Sequence, residues 1–190
     1  TLQGLFSLDL HAAGTFNYAD RTGYLNLDAP RKEQAQKEGL EHLEQEKAYR
    51  LPQAQRLQRV RALLEGLAHL SGGAKQALHY TDVTPDVLIM AVTRGGNHIF
   101  GHVLGSQGER PVLNVPALAE ALQVFAEDLL SDVYFGWVRG FLDAEREKLE
   151  QALAEGGALA SWQGRVHILH PREACLKLVQ ALEEHPGWLA

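Results

Sequence analysis

Residues Val87 to Val92, VLIMAV, form a short and almost purely apolar run rich in β-branched side chains, bounded by Thr84-Pro85 before it and Gly95-Gly96 after it. The run is too short for a helix, and its lack of polar alternation suits a strand buried on both faces. Ile99 to Leu104 predicts a second strand returning alongside. Between them, Arg94-Gly95-Gly96-Asn97-His98 predicts a hairpin tip in which two glycines accept positive φ. One cation and two hydrogen-bonding side chains surround those glycines, a composition able to approach a phosphate backbone.

Other elements follow from period and punctuation. Leu2, Gly4, Phe6, Leu8 and Leu10 alternate with Gln3, Ser7 and Asp9, interrupted only by Leu5, and predict a half-buried strand. Gly14 to Tyr24 mixes Phe16, Tyr18, Arg21, Thr22 and Tyr24 with small polar residues. Such a loop can stack on bases and bond phosphates; read from the residues alone, it fits better a plain connection whose aromatics tuck onto the core. Arg31 to Arg50 is highly charged and predicts either a solvated helix or a mobile insertion. Gln53 to Leu70 predicts an amphipathic helix with Leu57, Val60, Leu63, Leu64, Leu67 and Ala68 on one stripe and Arg56, Arg59 and Arg61 off it, capped by Ser71-Gly72-Gly73.

Downstream, Gly105 to Pro111 predicts a turn and Val112 to Val115 a strand. Pro116 opens a helix carrying Leu118, Leu122, Phe125 and Leu129. Asp132 to Val138 suits a strand or the front of the next helix. Gly140 to Glu155 predicts a helix, Arg165 to Leu169 a brief strand, and Pro171 the start of a helix with Cys175, Leu176, Val179 and Leu182 on one side. The order strand, helix, two strands, helix and a last strand predicts the α+β class. In particular it fits a ferredoxin-like, RNA-recognition-type sandwich with helical insertions. The expected organisation is one domain over residues 1–190, with 31–52 as a charged insertion and 140–190 as a C-terminal helical region.

Charge and cysteine content narrow the setting. The net charge of −6 is unusual for a free-standing nucleic-acid binder, but residues 1–100 hold 11 Lys+Arg against 11 Asp+Glu, and residues 101–190 hold 7 against 13. An RNA-facing surface is therefore expected from the first half. The single Cys175 excludes an internal disulfide framework and points to a reducing cytoplasm. No apolar run has the length to span a bilayer, and Leu2 to Leu10 lacks the charged start of a signal peptide, so no membrane partner is expected.

Signatures of catalysis are weak. Gly72-Gly73-Ala74-Lys75 is not a nucleotide phosphate loop, because a helix precedes it and a strand follows. His98 and His102, four apart on the expected strand, stand roughly 13 Å apart, too far for one ion, and no cofactor or metal is expected. Metal-independent RNA cleavage needs a base and a cation, roles open to His11 or His79 with Lys75 or Arg94, but no spacing brings these together.

The segments GLFSLDLHAAGTF (4–16), RTGYLNLD (21–28), SGGAKQALHYTDVTP (71–85) and RGGN (94–97), in that order, resemble the DevR-type backbone subunit of type I CRISPR effector complexes. The similarity runs from about Leu2 to about Leu153. Family members are longer and open with a strand and an Asn/Gly-rich segment, so the resemblance implies a C-terminal part of such a protein, lacking the first strand of its fold. It also implies a non-catalytic subunit that multimerises along CRISPR guide RNA (crRNA) and presents it to target DNA. The implied partners are crRNA, other copies of itself and other Cascade subunits, with target DNA reached through the guide. The family motifs do not fix individual RNA ligands. Composition and position assign Arg21, Thr22 and Tyr24 in the first loop, Lys75 before the central strand, and Arg94, Asn97 and His98 at the hairpin tip. The alternatives are the metal-independent endoribonuclease and a DNA-binding transcriptional or developmental regulator.

Overall fold

The computed structural model describes residues 3–19, 26–70 and 83–189. The fold is α+β, with helices and small antiparallel and mixed sheets, the class to which a ferredoxin-like sandwich belongs. Where the sequence predicts one continuous domain, the chain divides into two compact units. One takes Thr1–Ser7 and Leu64–Ala181; the other takes Leu8–Leu63 and Leu182–Ala190.

The larger unit is built on β7 (Val133–Trp137), all five of whose residues are buried. It pairs antiparallel with β4 (Val87–Met90) and parallel with β8 (Val166–Leu169). A parallel partner needs a crossover, and α4 (Asp143–Leu153) supplies it. One face of this sheet, with Ile89, Phe135 and Ile168 in register, packs on Leu118 and Leu122 of α3 (Val115–Val124) and on Leu149 and Leu153 of α4. The other face meets α5 (Pro171–Glu184), where Cys175 Sγ lies 4.0 Å from Met90 Sδ. Burial pushes the Cys175 thiol up to about 11. Gly136 permits that approach: a Cβ there would stand 2.6 Å from Pro171 Cα and 2.9 Å from Leu88 Cγ. Helices on both faces explain why DVYFGWV carries no polar alternation, and they resolve its strand-or-helix ambiguity in favour of a strand.

The expected hairpin between Val87–Val92 and Ile99–Leu104 does not form. β4 is bounded by competitors for its backbone: Val92 N–H donates to Ser131 Oγ at 2.8 Å, Val92 C=O accepts from Leu130 N–H at 2.9 Å, and Arg94 N–H donates to Asp128 C=O at 2.7 Å. Residues 99–103 are turns, so His98 and His102 do not share a strand. The hairpin instead joins β5 (Leu104–Gln107) to β6 (Arg110–Leu113) through Gly108, where φ is +63°, in place of the turn expected at 105–111 and the strand at 112–115. Asn114 then caps α3, its Oδ1 accepting from Ala117 N–H at 3.1 Å.

A second correction concerns the first segment. Residues 3–9 form no strand, and Leu5 and Phe6 are 60% and 49% exposed. Alternation makes a strand only where a sheet offers an edge, and this segment pairs with none among the described residues; Gln3 Nε2 donates to Leu104 C=O at 3.3 Å instead.

The smaller unit holds the antiparallel sheet β1-β3-β2, from β1 (Thr15–Asn17), β2 (Glu41–Leu43) and β3 (Ala48–Arg50). The charged stretch 31–50 thus supplies most of α1 (Ala29–Lys37), capped by Asp28, and then a β-hairpin. α2 (Gln53–Ala68) forms as expected, but its buried stripe is Arg56, Val60, Leu64 and Ala68, and Leu63 is 55% exposed. Arg56 is buried because irregular backbone needs donors. Its guanidinium donates to the carbonyls of Leu10 (2.8 Å), His11 (3.0 Å), Ala13 (2.8 Å) and Leu189. Gly14, at φ +77°, leaves room for the Arg56 stem, since a Cβ there would lie 2.8 Å from Arg56 Cγ. In α5, Cys175, Val179 and Leu182 are buried as expected, whereas Leu176 is 45% exposed.

Candidate nucleic-acid interface

Antiparallel register in the smaller unit aligns Phe16 with Tyr49 and Tyr49 with His42, placing three rings in one row across β1, β3 and β2. Tyr18, two residues beyond Phe16, projects from the same face. His42 stacks on Tyr49 with centroids 4.7 Å apart and planes at 20°, and Tyr18 lies 5.9 Å from His42 and 5.7 Å from Tyr49. Tyr18 Oη and His42 Nε2 share a hydrogen bond of 2.9 Å. Tyr49 is the buried floor of this platform, Phe16 and Tyr18 are half-buried, and His42 is exposed.

Helices bring cations to the same rings. Lys32 of α1 places its Nζ 4.0 Å from the Tyr18 centroid, and the Arg59 guanidinium of α2 stands 5.8 Å from that of Phe16. Rings for bases beside cations for phosphates are the two ingredients of sequence-tolerant single-strand binding. The other face of the sheet is different in kind. There Thr15, Arg50 and Glu41 are in register, and Arg50 lies 4.0 Å from Glu41, 4.0 Å from Glu46 and 3.2 Å from His11 Nε2. His11 Nε2 in turn meets Glu46 at 3.1 Å. The cations of that face are neutralised by neighbouring carboxylates.

Of the residues assigned from sequence, Arg94, Asn97 and His98 are exposed in the segment after β4, with His98 edge-on to Phe100 at 6.4 Å. They sit on an irregular segment, not at a hairpin tip. Among the described residues the Arg94 guanidinium has no hydrogen-bond or ion-pair partner. Arg21, Thr22, Tyr24, Lys75 and His79 lie outside the described residues, as does the expected cap Ser71-Gly72-Gly73. Of the ribonuclease candidates, His11 is thus held by Glu46 and Arg50. Among the described residues no group of three His, Cys, Asp or Glu side chains converges as metal ligands.

Composition at 14–24 points to Phe16 and Tyr18, but nothing in the sequence points to His42, Tyr49 or Lys32, and Arg59 is only one of three arginines off the apolar stripe of the helix. Of those three, Arg61 pairs with Glu183 at 3.3 Å and Arg56 is buried. His42 and Tyr49 sit in three-residue strands inside a charged stretch, too short for a period to show. The available signal was Phe16 and Tyr18 at strand spacing, which predicts two rings on one face. In comparisons with known proteins, no family model, no curated protein and no solved structure matches this chain.

Proposed function

We propose that this chain is a non-catalytic subunit that binds single-stranded RNA on the Phe16-Tyr49-His42-Tyr18 face of its three-stranded sheet. Following the resemblance of its sequence segments, we further propose that the strand is a CRISPR guide RNA, coated by several copies of the chain together with other effector subunits and offered to target DNA. The observation that supports this most is the pairing of four rings on one sheet face with Lys32 and Arg59 set over two of them. Stacking on rings is tolerant of base identity, which suits a subunit that holds a guide while base pairing carries the specificity. Arg94, Asn97 and His98 are proposed as additional backbone contacts, as are Arg21, Thr22, Tyr24 and Lys75.

The test is size-exclusion chromatography with light scattering and absorbance ratio on the chain produced together with its neighbouring genes and a guide array. Ribonucleoprotein particles holding several copies agree with the proposal. A nucleic-acid-free monomer contradicts it, and shortened guide products would favour the endoribonuclease.

A further inference from the structure

Lys32 Nζ stands 4.0 Å from the Tyr18 ring centroid. A base stacked on that face needs the same layer, about 3.5–4 Å above the ring, so the ammonium and a base cannot share it. We propose that Lys32 is a displaceable cap on a base-binding face of Tyr18: an RNA base takes the ring face, and the released ammonium pairs with a phosphate of the same strand. This inference rests on the ring platform being the RNA site.

Three observations carry it. The first is that the ring is held while the cap is not. Tyr18 is fixed through its hydroxyl to His42 at 2.9 Å and through its N–H to Lys47 C=O at 2.9 Å. Lys32 hangs from the first turns of α1 on a flexible four-carbon stem.

The second is the distribution of carboxylates along α1. Arg31 pairs with Asp28 at 3.2 Å and Lys37 with Glu33 at 3.3 Å, but among the described residues no carboxylate pairs with Lys32. Its ring contact is therefore exchangeable for a charge-assisted bond to a phosphate, which is the stronger interaction. The third is the contrast with Arg59, whose guanidinium carbon stands farther from its ring, 5.8 Å from the Phe16 centroid.

The experiment titrates a short fluorescent oligouridylate over a range of salt concentrations with the wild type and Lys32→Ala. Loss of one phosphate contact makes the plot of log K against log salt shallower by about 0.7 in the variant. Freeing the ring face raises affinity about three-fold where charge is screened. The two lines therefore cross, with the variant weaker at low salt and tighter at high salt. Wild-type binding with parallel lines, or with a variant weaker at every salt concentration, overturns the cap and leaves the platform standing. Failure of the wild type to bind overturns both.

A second readout is independent of affinity. The Lys32 methylene proton resonances are shifted upfield by the Tyr18 ring in the free protein and move back downfield at saturating RNA. Unchanged shifts in the bound state overturn the cap.

Discussion

His42 lies on Tyr49 with ring centroids 4.7 Å apart, so the exposed ring of the platform rests directly on the buried one. The floor ring is 3% exposed and fixes the plane of the ring above it. In the proposed binding mode, a base arriving on His42 would meet a surface already ordered and would cost little side-chain entropy. The relationship is made by strand register, which brings together residues from β2 and β3 that are set apart by a hairpin turn.

Arg94 tests the contribution of the other candidate segment. Its exposed guanidinium has no partner among the described residues, so Arg94→Ala leaves the thermal midpoint unchanged. If it meets a phosphate, the variant weakens RNA binding and lowers the salt slope by about 0.7. An unchanged affinity and slope in fluorescence anisotropy removes Arg94 from the interface.

Arg56→Met tests the buried guanidinium. The change keeps much of the side chain's volume and strips donors from the carbonyls of Leu10, His11, Ala13 and Leu189. Leaving one buried and three partly buried acceptors unmatched costs about 2–4 kcal/mol, read as a lower urea midpoint. A midpoint within experimental error of the wild type contradicts the role given to this residue.

The same arginine marks where sequence reasoning stops. α2, α3 and α5 were legible because apolar residues recur at helical spacing over several turns, with prolines at the starts of α3 and α5. Arg56 lies on the buried stripe of α2, but a charged residue reads as solvent-facing unless its acceptors are known, and these come from residues 10–13 and from Leu189. β7 was visible as an apolar run, yet its partners were not. The run at 87–92 fits a hairpin with 99–104 equally well until Ser131, Leu130 and Asp128 are seen to hold its C-terminal end. The platform was half legible: Phe16 and Tyr18 stand at strand spacing, whereas His42 and Tyr49 join them only through register.

Gly136→Ala tests the approach of α5 to the larger sheet. The new Cβ would fall 2.6 Å from the backbone of Pro171, which cannot move away as a flexible side-chain tip can. The expected loss is about 3 kcal/mol. Gly105→Ala is the control, since its nearest neighbour would be Val112 Cγ2 at an ordinary 3.9 Å. Equal urea midpoints for the two variants contradict the packing argument.

Glu145 gives the larger unit an acid-sensitive contact. The hydrogen bond from Lys148 Nζ, at 2.6 Å, holds its carboxyl below the ordinary value of 4.5. Burial opposes this, while the Leu113 N–H at 2.9 Å and the charges of Lys148 and Arg110 add to it. Because the folded state binds this proton less tightly than the unfolded chain, the stability it adds is complete above about pH 4.5 and is lost as pH falls through the lowered value. Glu145→Gln therefore flattens the dependence of unfolding free energy on pH below about pH 4.5. Superimposable profiles for the two proteins contradict it.

The central claim is that the ring face of β1-β3-β2 binds a single strand. Its most direct test is the affinity of one short RNA, single-stranded and annealed to its complement, for the wild type and for the double variant Tyr18→Leu/His42→Leu at fixed salt. The account predicts that the wild type prefers the single strand, and that the double variant, folded by circular dichroism, loses about ten-fold or more of that affinity. Equal binding by the two proteins, or a wild type that prefers the duplex, would contradict it.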